Sequence, residues 1–244
     1  MLTRLQRLFT PEERTRLARA QSARFSCHTF KPMDSRQFAA LSLLCGRFST
    51  SRAILEPVRV PLDFFGGSIL GLGRVQGCDT VVQVLAGPQT SAHTEAGICA
   101  EALVLMLTDL GMATCYLTGG FHRDYLPDLP RSLDRVCVIC AGTGLETQPA
   151  RRRKSLDRLC QGDYAAWPDM FRRAVEYVQT APSSLNLQPF FMSVTPDSFG
   201  LDSSDRTRLD LGIGMVHAEL AFDRPHVWRL SEDRRDPMSM AIFA

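Results

Sequence analysis

The sequence predicts an α+β fold or an α/β sandwich, because helical and strand patterns alternate along its 244 residues. Helices are indicated by capping residues ahead of apolar positions spaced three and four apart, and strands by short apolar runs. A chain of this length can bury one full core or two small ones, and no linker divides it. We therefore expect a single domain over residues 1–244.

The first third contains two predicted helices and a long loop. Thr10 precedes Pro11 and stands three residues before Glu13, the pattern of a capped helix start, and this helix runs to about residue 20. Residues 49–77 are rich in Gly and Pro, which favours a loop with one short strand. A second helix starts near Asp34 and buries one stripe, which consists of Phe38, Leu41, Leu44, Cys45 and Phe48.

The middle of the chain predicts the core. Residues 80–85 have the composition of a strand, and the apolar runs 112–117 and 136–141 have strand length. Residues 94–110 have a helical pattern that is apolar on most sides, and Gly111 fits a C-terminal cap. A helix this apolar belongs at the centre of the protein.

The last third again places helices before strands. A helix is predicted over residues 168–180 and a strand over 190–194. Ser204 is expected to cap a final helix, and residues 227–230 to form a last strand. The buried side of that helix would carry Leu209, Ile213, Val216 and Leu220.

Composition disfavours several function classes. The net charge of +2 provides no field for nucleic acid, and no apolar run reaches the roughly 18 residues that span a bilayer. The N-terminus has no signal-peptide pattern, so we expect a cytoplasmic protein.

The eight cysteines lie mostly in apolar contexts and predict buried free thiols. Cys137 and Cys140 have no second ligand pair, so no metal is expected, and His217 is expected to be structural.

Residues 181–190 carry many polar groups at the start of a predicted strand. Two serines and two carboxamide side chains lie between Pro182 and Pro189. Such groups need hydrogen-bond partners when they are buried. A flat polar heterocycle would pair with them, so the segment predicts a binding site.

A second polar segment places Arg24, Ser26 and His28 at alternate positions, on one face of an extended chain. A guanidinium and a hydroxyl suit a phosphate, whereas a histidine is only partly charged near neutral pH. An ordinary surface loop would have the same residues. We favour the phosphate site only because the other polar segments of the sequence also suit the same kind of ligand.

Two further segments contain glycines and basic residues. Residues 110–121 combine a helix end, a strand and the pair Gly119 and Gly120, and glycines permit a ligand to approach the backbone closely. The basic run 151–154 suits an anionic ligand, although a solvated surface run has the same composition. Glu101, in the preceding helix, receives no assigned role.

Together the four segments resemble the FMN-contacting motifs of the nitroreductase family. The resemblance implies FMN as cofactor and a three-layer α-β-α sandwich with a mixed sheet. The sequence departs from the family motifs at Phe25, His28 and Phe190. The implied contacts are Arg24, Ser26 and His28 at the phosphate and ribityl chain, Pro182, Ser183, Ser184 and Asn186 at the ring, Gly119 and Gly120 near N5, and Arg151 and Arg153 near the pyrimidine.

The order of the motifs is similar to that of a smaller subgroup, the Thermotoga-type nitroreductases. In ordinary nitroreductases the phosphate motif and the Pro-Ser-Ser motif are close in sequence, whereas here the core helix separates them. The resemblance covers residues 20–222. It implies a dimer folded into one chain, with halves 20–160 and 161–244, that is itself a monomer or a homodimer.

The resemblance implies an FMN-dependent oxidoreductase. Hydride would pass from NADH or NADPH through the flavin to a small organic acceptor, and a shared flavin face implies ping-pong kinetics without a protein nucleophile. One alternative is other flavin chemistry, such as reductive dehalogenation. Another is a protein that stores or senses FMN or has lost it. A third is a partner-binding scaffold whose basic first helix carries Arg14, Arg16 and Arg19.

Overall fold

The computed structural model describes residues 2–66, 74–150, 152–204, 208–230 and 238–243, except for the side chains of residues 2–4. Within these ranges the chain forms five α-helices and two five-stranded sheets. The predicted α+β class is confirmed. None of the described helices is long and apolar enough to cross a membrane.

The helices and strands alternate as the sequence predicts. Helices α1 to α5 span Pro11–Ala23, Ser35–Phe48, Thr90–Asp109, Asp169–Thr180 and Leu209–Glu219. Strands β1 to β10 span Phe30–Lys31, Ala53–Arg59, Thr80–Ala86, Ala113–Leu117, Asp134–Gly144, Cys160–Gln161, Phe190–Thr195, Ser198–Ser203, His226–Arg229 and Ser239–Phe243.

The strands form two sheets of different pairing. The first has the order β1-β5-β3-β2, with β4 also paired to β5, and its pairings are antiparallel. The second has the order β6-β7-β8-β10-β9 and is mixed, because β6 and β7 run parallel. The smaller apolar cluster lies on the side of the first sheet that carries Cys140, and the larger cluster surrounds α3 and α5.

The predicted starts of α1 and α2 are confirmed, and a side chain caps each of them. The hydroxyl of Thr10 accepts from the N–H of Glu13 at 3.2 Å, and the Glu13 carboxylate accepts from the N–H of Thr10 at 2.9 Å. Asp34 and Gln37 make the same pair of bonds at the start of α2. Gly111 follows α3 with a φ of +76°, a left-handed conformation that favours glycine.

The predicted helix cap at Ser204 is wrong. α5 begins at Leu209, and its N-cap is Arg208, which has a left-handed φ of 60°. Ser204 instead donates its backbone N–H to Pro189 O at 3.0 Å. That bond keeps Ser204 beside the β7–β8 pair, so a serine ahead of an apolar helix was a misleading signal.

Helices α3 and α5 cross in the core at Gly97 and Gly212. A Cβ atom built on Gly97 would lie 2.1 Å from Leu209 O, and one on Gly212 would lie 2.0 Å from Thr94 O. These distances leave no room for a side chain, so glycine lets the two backbones approach this closely. The two helices belong to the two halves inferred from the sequence, and that division, like the single domain, stays a prediction.

All eight cysteines are buried free thiols, as predicted. Cys137 and Cys140 belong to different apolar clusters, because strand residues three positions apart point to opposite faces. Among the described residues, no group of His, Cys, Asp and Glu side chains is arranged to hold a metal ion.

Candidate active site

One cavity of about 290 Å³ is lined by residues from all four polar segments. Its walls come from the end of α1, from β4 and the turn after it, from the basic run, and from the Pro-Ser-Ser segment. The sequence-predicted residues in its lining are Arg24, Ser26, His28, Gly120, Arg153, Pro182, Ser183 and Asn186.

Two predicted residues that the structure describes, Gly119 and Ser184, do not line this cavity. Gly119 lies beside it in the turn after β4 and is not among its lining residues. Ser184 lines an adjoining chamber of about 70 Å³, which shares Pro182 and Ser183 with the main cavity. Arg151 lies outside the described residues.

The first wall is held against β4. Arg24 is the C-cap of α1, where its N–H donates to Ala20 O at 2.9 Å, and it is 5% exposed. Ser26 forms a parallel bridge with Thr114 of β4. The alternate spacing of Arg24, Ser26 and His28 therefore does place all three on the cavity.

The Pro-Ser-Ser segment has a backbone that is costly to form. Leu185, Asn186 and Gln188 have φ values of 49°, 54° and 46°, in the left-handed region that side chains disfavour. Such strain persists only where surrounding contacts hold the chain. The N–H of Ser184 donates to both carboxylate oxygens of Asp210 at 3.3 and 3.2 Å, and Asp210 is 2% exposed.

Hydrogen bonds within the protein satisfy much of this segment. The Ser183 hydroxyl accepts from the N–H of Gln188 at 2.8 Å. The Gln188 carboxamide accepts from the N–H of Lys154 at 2.7 Å and donates to Arg152 O at 3.2 Å, and Asn186 also donates to Arg152 O. The sequence argument expected these groups to need a heterocycle as partner. They instead fix the shape of the loop.

Two arginines of the basic run have different roles in the structure. Arg153 donates to Thr180 O at 2.9 Å, to Ala181 O at 3.2 Å and to the Asn186 side chain at 3.2 Å, which clamps the loop to the end of α4. Arg152 lines the cavity and is exposed, without a side-chain hydrogen bond to the described residues. Sequence reasoning missed Arg152, because a run without periodicity does not indicate which side chain faces inward.

Tyr116 of β4 also lines the cavity and was not foreseen. Its hydroxyl donates to Glu101 Oε2 at 2.9 Å, and Glu101 Oε1 lies 2.8 Å from Nε2 of His217. Burial and the Glu101 charge hold the pKa of Tyr116 well above its usual value. Nδ1 of His217 donates to Tyr177 O at 3.0 Å, so the prediction of a structural histidine is confirmed. The feature of the sequence that could have indicated this network is Glu101, a charged residue within the largely apolar α3.

The cavity is cationic. Arg24, His28, Arg152 and Arg153 line it, and no Asp or Glu is among the described lining residues. The remaining lining is largely apolar. Burial raises the pKa of the Cys115 thiol to about 12, so this thiol is no nucleophile at neutral pH. Guanidinium and hydroxyl donors beside an apolar wall fit the phosphate and the flat ring of FMN.

A family model described as Putative TM nitroreductase matches residues 19–222. The chain belongs to this nitroreductase family. The Thermotoga-type relationship inferred from motif order is thereby confirmed. Strands β9 and β10, which complete the second sheet, lie beyond the segment that the family model covers.

Among solved structures, one nitroreductase shares the fold over nearly the whole chain. A putative nitroreductase from Thermotoga maritima is 22% identical, with 93% of each chain covered and a TM-score of 0.69. A nitroreductase with bound FMN from Desulfitobacterium hafniense is 16% identical over 61% of this chain and 98% of that one, with a TM-score of 0.46. An FMN-dependent nitroreductase from Clostridium difficile is 15% identical over 61% and 96%, with a TM-score of 0.45. Comparison with curated proteins gives no match.

Proposed function

We propose that this member of the nitroreductase family is an FMN-dependent oxidoreductase that uses NADH or NADPH to reduce a small organic acceptor by a ping-pong mechanism. The observation that carries the proposal is that one cationic cavity is lined by residues from all four motif segments of one chain. A bound flavin would supply the hydride acceptor and donor, while the protein binds and orients it.

The lining side chains would contact two different parts of the flavin. Arg24, Ser26 and His28 would hold the phosphate and ribityl chain, because they contribute a guanidinium, a hydroxyl and an imidazole to one wall. Pro182 and Ser183 of the Pro-Ser-Ser segment would contact the ring, together with Ser184 and Asn186. Since Asn186 already bonds Arg153, we infer that it positions the loop as well as facing the ring.

The turn after β4 would face the reactive edge of the ring. Gly120 has a φ of +77°, which favours glycine, and a Cβ atom built on Gly119 would meet no atom within 4 Å. Open space beside the Gly119 backbone would admit a planar edge. Arg153, with Arg151, would place positive charge near the pyrimidine and favour an anionic reduced ring.

The contacts of two arginines weigh against the scaffold alternative. Arg14 donates to Glu219 Oε1 and to Phe222 O, both at 2.9 Å, and Arg16 pairs with Asp109 at 2.9 Å. Arginines that bind other parts of the same protein are less available to a partner.

The test is an absorbance spectrum of the protein after incubation with FMN and desalting, followed by anaerobic NADH or NADPH. We expect retained flavin bands that bleach on reduction and return with an acceptor. Arg24→Ala should weaken retention at least tenfold, whereas Arg19→Ala, on the exposed side of α1, should not. Retention without bleaching would favour a store or sensor, and absence of flavin would refute the proposal.

A further inference from the structure

We propose a second ligand site in this protein, in a cavity of about 500 Å³ between residues 5–8, the end of α2 and the first half of α3. The ligand it fits is a small molecule with an ammonium group, a carboxylate and an apolar body, the chemistry of a free hydrophobic amino acid. In the described part of the chain, the cavity shares no lining residue with the site above. The inference is therefore independent of the proposed function.

One wall holds a buried carboxylate, Glu95, whose Oε2 atom accepts no hydrogen bond from the described residues. Glu95 is 7% exposed. Its only partner among the described residues is Arg52, whose Nε lies 3.7 Å from Oε2, beyond hydrogen-bond distance. Buried carboxylates are ordinarily satisfied by several donors. An ammonium group carries three N–H donors and would complete this site.

The two arginines of the cavity differ in availability. Arg47 is engaged, because it donates twice to Glu13 at 2.7 Å and so has its charge matched. Arg7 is exposed and has no hydrogen bond or ion pair with the described residues. A ligand carboxylate would find its partner in Arg7, since a guanidinium binds carboxylates through paired N–H donors.

The rest of the lining is mainly apolar. Leu5 and Phe48 are each 2% exposed, and Leu8 and Ile98 contribute further aliphatic surface. A hydrocarbon or aromatic body would gain from leaving water here. A ligand with one charge would form hydrogen bonds with either Glu95 or Arg7 and leave the other without a hydrogen-bond partner among the described residues, so the lining favours a zwitterion.

The experiment is isothermal titration calorimetry of the full chain with L-phenylalanine as probe. Matched probes are 2-phenylethylamine, which lacks the carboxylate, and 3-phenylpropionate, which lacks the ammonium group. We expect L-phenylalanine to bind at least tenfold more tightly than either. Glu95→Gln and Arg7→Gln should each lower its affinity at least tenfold, whereas Arg131→Gln, an exposed arginine outside the cavity, should not.

Three results would overturn the proposal. They are absence of binding up to about 10 mM L-phenylalanine, equal affinity for 2-phenylethylamine, and unchanged affinity in Glu95→Gln. The exposed Arg7 provides a variant that does not disturb the core, and circular dichroism of both variants checks their folding. FMN retention in Glu95→Gln should equal that of the wild type, which separates this site from the proposed function.

Discussion

Replacing Gly97 by alanine tests how closely α3 and α5 approach. The new Cβ would lie 2.1 Å from Leu209 O, whereas a carbon normally stays about 3.3 Å or more from a carbonyl oxygen. The helices must therefore separate by about 1 Å, against the packing of the larger apolar cluster. Overpacking of this kind costs about 1–3 kcal/mol, while alanine in a helix recovers about 0.5–1 kcal/mol. Because the obstacle is backbone, we expect a net loss of about 2 kcal/mol.

The same substitution at Gly46 is the matched control. Gly46 is exposed in α2, and a Cβ atom built on it meets nothing within 4 Å. Alanine there should raise the free energy of unfolding by about 0.5–1 kcal/mol through helix propensity alone. Urea unfolding followed by far-UV circular dichroism measures both variants, provided that the m-value is unchanged. If Gly97→Ala is as stable as the wild type, the backbones of α3 and α5 are not in close contact at this residue, and the reasoning is refuted.

Three further predictions concern buried or paired groups. His217→Ala removes the buried imidazole whose Nε2 lies 2.8 Å from the buried Glu101 carboxylate, so urea titration should find a loss of about 3–5 kcal/mol, and a loss under about 1 kcal/mol would contradict the pairing. Hydrogen bonds from Arg47 lower the pKa of Glu13 to about 2, so its stabilisation is full above pH 4.5 and is lost as the pH falls toward 2. Acid unfolding of Glu13→Gln should lack that component, and curves of the same shape would refute it. Because burial raises the pKa of Cys115 to about 12, a thiol reagent should label it much faster in urea than in the native protein, as mass spectrometry would detect, and equal rates would count against burial.

Local signals in the sequence predicted the elements that they control directly. The capping residues Thr10 and Asp34 placed two helix starts, because a side-chain oxygen satisfies the first free N–H groups. Strands β8 and β10 were missed. β8 contains Gly200 and Asp202, which weaken any strand pattern, and β10 forms because its neighbours β8 and β9 supply its hydrogen bonds.

The candidate site was foreseen as a set of segments rather than as a set of contacts. The family motifs predicted that residues 24–28 and 182–186 belong to one site, and both segments contribute lining residues to one cavity although they are distant in the chain. The motifs did not indicate that Gln188 and Arg153 would bond the loop to itself and to α4. Those partners depend on three-dimensional placement, and a hydrogen-bonding side chain in a sequence does not specify what it will meet.

The hydrogen bonds that the Pro-Ser-Ser loop makes within the protein have a consequence for how a ligand would bind. Hydrogen bonds among Ser183, Asn186 and Gln188 hold the left-handed backbone at Asn186 and Gln188 without a ligand, so we expect the loop to be ordered before anything binds. Little conformational entropy is then lost on association, and the bound shape does not have to be selected from a wider ensemble. Ligand recognition at this wall would therefore be that of a preorganised site, with an affinity that depends on the fit of the ligand rather than on rearrangement of the loop.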